Sequence, residues 1–182
     1  TIEPFKIDLD AEVPTGRRDW FGEYEMRVIE KSLSTGTQTI NVKPLPENGK
    51  PESFTGAVGK FDFKVIPSKT SLKAGESLDL EVSVSGKGNL KLFTLPKPVV
   101  PSALEMYEPS HTENVQTPLT GMVGKVSDKY TIIPQFKGKY TIKPMEFSYY
   151  DLASKSYKTI TSKEITIDVA EGDATFVANT PS

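Results

Sequence analysis

An all-β chain is the fold the sequence predicts: one complete immunoglobulin-like β-sandwich behind the C-terminal part of a preceding immunoglobulin-like β domain. Three observations predict it. Apolar residues recur at every second position in short runs, the side-chain period of a strand and not of a helix. Those runs are punctuated by 13 glycines and 14 prolines, the residues that turn a chain or end a strand. Short motifs near the start of the chain also recur around residue 141 and beyond.

The first expected strand, Phe5 to Val13, alternates Phe5, Ile7, Leu9 and Ala11 with Lys6, Asp8 and Asp10, which puts apolar side chains on one face and charges on the other. Pro14-Thr15-Gly16 is expected to break the chain there, with Arg17, Arg18 and Asp19 kept in solvent. Tyr24 to Glu30 and Thr37 to Val42 are the next two strands expected. So short a segment lacks the second layer its apolar face needs. An internal correspondence accounts for the shortage. Thr1-Ile2-Glu3-Pro4 matches Thr141-Ile142-Lys143-Pro144, Ile7 corresponds to Phe147, and Thr39-Ile40-Asn41-Val42 matches Thr166-Ile167-Asp168-Val169. Both segments read as domain endings, so residues 1–45 are expected to be the end of a preceding domain. Residues 46–53 lie in a stretch rich in Pro, Gly and charge and are the expected linker.

Residues 54–170 are expected to form the complete sandwich. Phe61, Phe63 and Val65 alternate with Asp62 and Lys64; a turn at Lys73 to Glu76 leads into Leu78, Leu80, Val82 and Val84, a strand, turn, strand pattern. Gly86 to Asn89 ends that run. Pro96, Pro98 and Pro101 oppose a regular central strand and mark a surface crossing. Leu104 to Tyr107 is a short edge element, followed by an expected polar loop through His111 and Asn114. Tyr130 to Pro134, Tyr140 to Ile142, Met145 to Tyr149, Tyr157 to Ile160 and Ile165 to Val169 complete about seven short strands, the number a two-sheet Greek-key sandwich uses. Residues 171–182 are expected to be a polar tail.

Composition narrows the function classes. Lys and Arg number 22 against 24 Asp and Glu, a formal charge of -2, so there is no concentrated positive charge to exchange for counterions on nucleic acid or anionic lipid. Lys87, Lys91 and Lys97 lack the aromatic spacing of a stacking groove, and no nucleic-acid partner is expected. Cysteine is absent, which removes a disulfide framework, a thiolate nucleophile and thiolate-held metals. No apolar run approaches the roughly 18 residues a membrane-spanning helix needs, and TIEPFKIDLD lacks the basic-then-apolar form of a signal peptide.

The chemistry-bearing motifs are weak. Thr55-Gly56-Ala57-Val58-Gly59-Lys60 and Thr120-Gly121-Met122-Val123-Gly124-Lys125 share a pattern, but Phe61 and Val126 stand where a phosphate-binding loop needs Ser or Thr; both read as turns or bulges before strands. Asp8, Asp10 and Glu12 fall on one strand face, where a solvated edge outranks a cation site. Glu105 and Glu108 read as surface charge. His111, the single histidine, has Glu108 or Glu113 as a pairing choice and no convergent ligand set; Ser110 beside it belongs to no triad. No catalytic residue, cofactor or metal is expected, and the chain is read as a non-enzyme. The candidate protein interface is aromatic: Trp20, Phe21, Tyr107, Tyr149 and Tyr150, since aromatic anchors carry much of the energy of protein contacts. For Trp20 and Phe21, packing within the chain is the competing reading. The alternative function is a carbohydrate or peptidoglycan-binding sandwich, which calls for clustered exposed tyrosines beside polar loops.

Four ordered stretches carry a family resemblance. Phe54 to Phe61, Val84 to Lys91, Ile132 to Pro144 and the Tyr149-Tyr150-Asp151 region together resemble the BatD aerotolerance family across residues 54–170. The resemblance implies the extracytoplasmic, periplasmic region of a bacterial inner-membrane protein of the type found in Bacteroidetes and other bacteria, anchored by parts outside this chain. It implies a protein-interaction or scaffold role in an envelope complex linked to oxygen tolerance. The partners it implies are encoded in the Bat cluster and include membrane proteins with von Willebrand factor A domains. It carries over no catalytic residue.

Overall fold

The computed structural model describes residues 1–172, so most of the expected polar tail lies outside the described residues. The chain forms two compact units, Thr1–Leu45 and a second that starts at Pro46.

The first unit is a long antiparallel hairpin of β1 (Lys6–Arg18) and β2 (Tyr24–Ser34). Directly opposed residues share a face: Ile7 with Leu33 and Ala11 with Ile29 on one side, Asp8 with Ser32 and Asp10 with Glu30 on the other. Two expectations are corrected here. Pro14-Thr15-Gly16 does not break the chain; β1 runs on to Arg18 with a register irregularity between Pro14 and Arg18, because a two-stranded ribbon consists only of edge strands, where proline and bulges are tolerated. Thr37 to Val42 forms no strand. It contributes a single bridge, Ile2 opposite Gln38, since no second strand of this unit lies beside it. At the foot of the hairpin Phe5 and Thr35 are joined twice: Thr35 N donates to Phe5 O, and Phe5 N donates to Thr35 Oγ1 at 3.0 Å.

The second unit is all-β and sandwich-like. Its strands are β3 (Phe54–Pro67), β4 (Ser71–Lys73), β5 (Leu78–Gly88), β6 (Leu104–Met106), β7 (Ser110–Gln116), β8 (Val123–Pro134), β9 (Gly138–Ile142), β10 (Glu146–Asp151), β11 (Ser156–Thr161) and β12 (Ile165–Ala170). They form a seven-stranded sheet in the order β11-β10-β3-β5-β8-β6, with β7 also on β8, and a three-stranded sheet β4-β12-β9. Most neighbours are antiparallel, while β3 with β10 and β4 with β12 are parallel. The expectation of about seven strands is therefore too few. The main miss is β7, expected as a polar loop: an edge strand exposed on both faces pairs through its backbone and needs no apolar alternation.

The period-two runs do what they predict. Phe61, Phe63, Leu78, Leu80, Val82, Val84, Val126, Tyr130 and Ile132 are buried in one core with Ile142, Ile167 and Val169 of the smaller sheet. An aromatic cluster fills its centre, with Phe61 set edge-on to Phe93, Phe147 and Tyr149 at centroid distances of 5.5, 6.0 and 5.6 Å, a packing mode favoured by the ring quadrupoles. Burial also covers the opposite face of β10, where Ser148 Oγ lies 2.6 Å from Ser53 Oγ and 2.7 Å from Thr159 Oγ1. Residues 46–53 are fastened to this unit, since the Tyr157 hydroxyl donates to Pro46 O at 2.8 Å and Phe54 N donates to Pro51 O at 3.1 Å.

Candidate protein interface

In the first unit, the hairpin turn between β1 and β2 presents Trp20 and Phe21, 94% and 87% exposed. Local chemistry fixes the turn beneath them. Asp19 Oδ1 accepts from Phe21 N and Glu23 N, both at 2.9 Å, an aspartate capping its own turn. Asp19 N donates to Glu23 O at 2.8 Å and Gly22 N to Asp19 O at 3.1 Å, with Gly22 at φ +87°, a backbone angle that side-chain-bearing residues disfavour. Arg18 closes the base: its guanidinium donates to Gly22 O and to the Tyr24 hydroxyl at 3.0 Å each and lies 4.5 Å from the Tyr24 ring centre, a cation–π contact. Two large apolar side chains are thus presented in solvent on a hydrogen-bonded tip, where ordering them on contact takes less conformational entropy than ordering a free loop. Within the unit neither ring is packed, so the intrachain reading of Trp20-Phe21 has no support from its own hairpin.

The three tyrosines fall in the second unit and divide. Tyr107, just past β6, is about half exposed; its hydroxyl donates to Glu105 Oε1 at 2.8 Å, and that hydrogen bond raises its pKa, with desolvation adding to it. Tyr149 and Tyr150 are buried, which corrects their place among exposed interface residues. Tyr149 points into the aromatic cluster against Phe61 and Phe147, and Tyr150 packs edge-on against Tyr157 at 5.1 Å. Alternation along β10 misleads because both faces of this strand are covered.

The remaining motifs resolve into structure. Gly59 and Gly124 lie inside strands and not in turns before them, Gly59 opposite Gly88 and Gly124 opposite Gly86. A Cβ on Gly88 would sit 2.3 Å from Val58 O, so these glycines serve the close approach of backbones. Asp8, Asp10 and Glu12 are exposed along β1. Among the described residues no group of three or more His, Asp or Glu is placed to hold a metal. Glu105 and Glu108 are engaged separately, Glu105 by Tyr107 and Gln135 and Glu108 by Lys97.

His111, on β7, faces Asp128 of β8 across the sheet, Nδ1 to Oδ1 at 2.6 Å, with Glu113 Oε1 3.4 Å from Nε2. Glu113 in turn meets Lys91 at 3.2 Å. The Asp128 hydrogen bond raises the His111 pKa against some desolvation, and Lys91, then His111, lower that of Glu113. Sequence reasoning considered Glu108 or Glu113 for this histidine and missed Asp128, which only the β7 to β8 register brings alongside. The group borders a recess with Leu90, Phe93 and Leu95. Arg18 and Asp19 were also missed as the architects of the tip; an Asp-x-x-Gly turn between two alternating runs is the signal that would have found them.

Among the described residues no helix is long and apolar enough to cross a membrane. Residues 65–169, more than half of the chain, match the family model described as BatD DUF11 like domain. No curated protein matches the chain.

Proposed function

Because the chain belongs to the BatD family, we propose that it is a non-catalytic protein-interaction and spacing module of a bacterial envelope complex linked to oxygen tolerance, and that its sandwich is immunoglobulin-like. On this reading it lies on the periplasmic side of the inner membrane, anchored by other parts of its parent. Its partners are proteins encoded with it, in the first place membrane proteins with von Willebrand factor A domains. One observation carries the choice of an interaction module: Trp20 and Phe21 stand exposed on a turn fixed by Asp19 and Arg18. Large rigid aromatics with little left to order are the residues that dominate protein interfaces. The carbohydrate-binding alternative calls for clustered exposed tyrosines beside polar loops, and the adjacent pair Tyr149 and Tyr150 is buried.

The test is cross-linking of the full-length protein in native membranes, with identification of the linked partner, for the wild type and for Trp20→Ala combined with Phe21→Ala. The expected result is a cross-link to a von Willebrand factor A-domain protein that falls at least about tenfold in the double variant, the loss of roughly 1.4 kcal/mol or more of contact energy. An undiminished cross-link from a folded double variant refutes the assignment of the tip.

A further inference from the structure

The foot of the β1–β2 hairpin repeats, in residues 2–8 and 32–38, the frame that joins β9 to β10 and β11 to β12. In the second unit Ile142 pairs with Ile165 and Phe147 with Ile160; in the first, Ile2 bridges Gln38 and Ile7 pairs with Leu33. The offsets agree on both arms: Ile2 to Ile7 equals Ile142 to Phe147, and Leu33 to Gln38 equals Ile160 to Ile165. The hydrogen bonds between these anchors agree too. Thr35 N donates to Phe5 O and Phe5 N to Thr35 Oγ1, just as Ser162 N donates to Met145 O and Met145 N to Ser162 Oγ. One step further along, the Ser32 hydroxyl meets Asp8 where Thr159 meets Ser148. The hairpin beyond differs, running from Ile7 to Leu33 in one unit and from Phe147 to Ile160 in the other, and so does the ladder before it, where five β9 to β12 pairs stand against the single Ile2 to Gln38 bridge.

Burial differs as consistently as the bonds agree. Ile2, Phe5, Ile7 and Leu9 are exposed, whereas Ile142, Met145, Phe147 and Tyr149 at the matching positions are buried. Ile40 and Val42 are 64% and 89% exposed against 0% and 7% for Ile167 and Val169. In the second unit the cover comes from two parallel pairings, β3 on Ser148 to Tyr150 and β4 on Asp168 to Ala170, together with the core carried by β5 and β8. The first unit has the acceptor positions, Asp8 to Asp10 on the free edge of β1 and Asn41 to Lys43, with nothing of its own to fill them.

We propose that residues 1–45 are the closing half of a second sandwich of the same construction, and that their apolar face docks the opening half of that sandwich: strands equivalent to β3, β5 and β8 and to β4. The occupant is an all-β segment with the period-two apolar pattern of β3 and β5, entering parallel to β1 at Asp8 to Asp10 and parallel to residues 41–43. It is encoded ahead of these residues in the same polypeptide, in the order in which β3 to β8 precede β9 to β12. A second copy of the chain fits less well, because its own β10 and β12 already occupy its β3 and β4. Docking would also make a strand of residues 39–43, since a strand forms where a partner backbone takes its hydrogen bonds.

The test is amide hydrogen exchange on the 182-residue chain and on its natural full-length parent. In the parent, amides of residues 8–10 and 41–43 should exchange at least about tenfold more slowly than in the shorter chain, while those of β5 and β8 are unchanged. Equal exchange in both overturns the proposal. Protection that appears in the shorter chain as its concentration rises, with a dimer in sedimentation, overturns the choice of occupant in favour of a second copy. Ile7→Asp and, separately, Val42→Asp in the parent should abolish the added protection and leave β5 and β8 as they were; retained protection in both variants overturns the docking face. Trp20→Ala with Phe21→Ala should leave this protection intact, so the docking proposal and the partner contact at the tip fail independently.

Discussion

The hairpins β1–β2 and β10–β11 share a hydrogen-bonded foot and differ in nearly everything that burial supplies. Phe147 and Ile7 hold the same place in the same ladder, yet Phe147 is enclosed by Phe61, Phe63, Phe93 and Tyr149 while Ile7 faces solvent. Backbone pairing and the turn residues are enough to define a local shape. They do not by themselves make it stable, because an isolated two-stranded hairpin in water is marginal and a hydrogen bond contributes little net free energy when both groups were already bonded to water.

The sharpest way to break this contrast is to truncate the two matched side chains in the 182-residue chain and follow urea unfolding by circular dichroism. Phe147→Ala should destabilise the second unit by about 3–5 kcal/mol, the range for removing a buried phenylalanine. Ile7→Ala should change stability by less than about 0.5 kcal/mol, as for an ordinary surface position. Similar losses at the two sites would mean that the matched positions are energetically equivalent and that burial is not what separates the units.

A smaller effect is expected at Asn89, for which the first unit has no counterpart. Its side chain accepts from Val58 N at 2.7 Å and donates to Gly56 O at 2.8 Å, bridging the stretch where the β3 to β10 register slips between Ser148 and Tyr149. Asn89→Ala strands a partly buried donor and acceptor, and should lower the stability of the second unit by about 1–3 kcal/mol. Asn89→Asp should recover part of the loss by restoring the acceptor alone. If the alanine and aspartate variants are equally destabilised, the Val58 contact has no role in holding the bulge.

Legibility followed the same divide between local pattern and distant contact. The runs Leu78 to Val84, Tyr130 to Pro134 and Ile165 to Val169 alternate so regularly that period alone placed them, and the repeat of Thr1 to Pro4 at Thr141 to Pro144 was readable because both feet need the same residues. Exposure of Trp20 and Phe21 was half legible: a turn was visible after the basic residues, but its rigidity depends on Asp19 and Arg18 reaching across it. The edge strand β7 was hidden because nothing in Ser110 to Gln116 alternates. Tyr149 was misplaced because it turns into the core against Phe61, far away in sequence, and Tyr150 because Tyr157 of the neighbouring strand and the distant Ser53 cover the outer face of β10. Asp128 was likewise beyond reach as the partner of His111, since only the register of two strands brings them together.

The smallest expected effect concerns the mouth of each hairpin, where an aspartate begins the turn. Asp19 caps a turn and has no ion pair among the described residues, whereas Asp151, largely buried, accepts from Ala153 N at 2.9 Å and pairs with Lys158 across the strands. The Lys158 hydrogen bond, followed by that from Ala153, lowers the Asp151 pKa from 3.8 to about 2. Because the folded state holds this carboxylate more acidic than the unfolded chain does, the unfolded chain takes up its proton first on acidification. The stabilisation is therefore complete above pH 3.8 and is lost as pH falls through about 2. Asp151→Asn should lower the stability of the second unit at neutral pH and flatten its decline across that acid window. A decline equally steep with asparagine at position 151 would place the acid-sensitive carboxylate elsewhere.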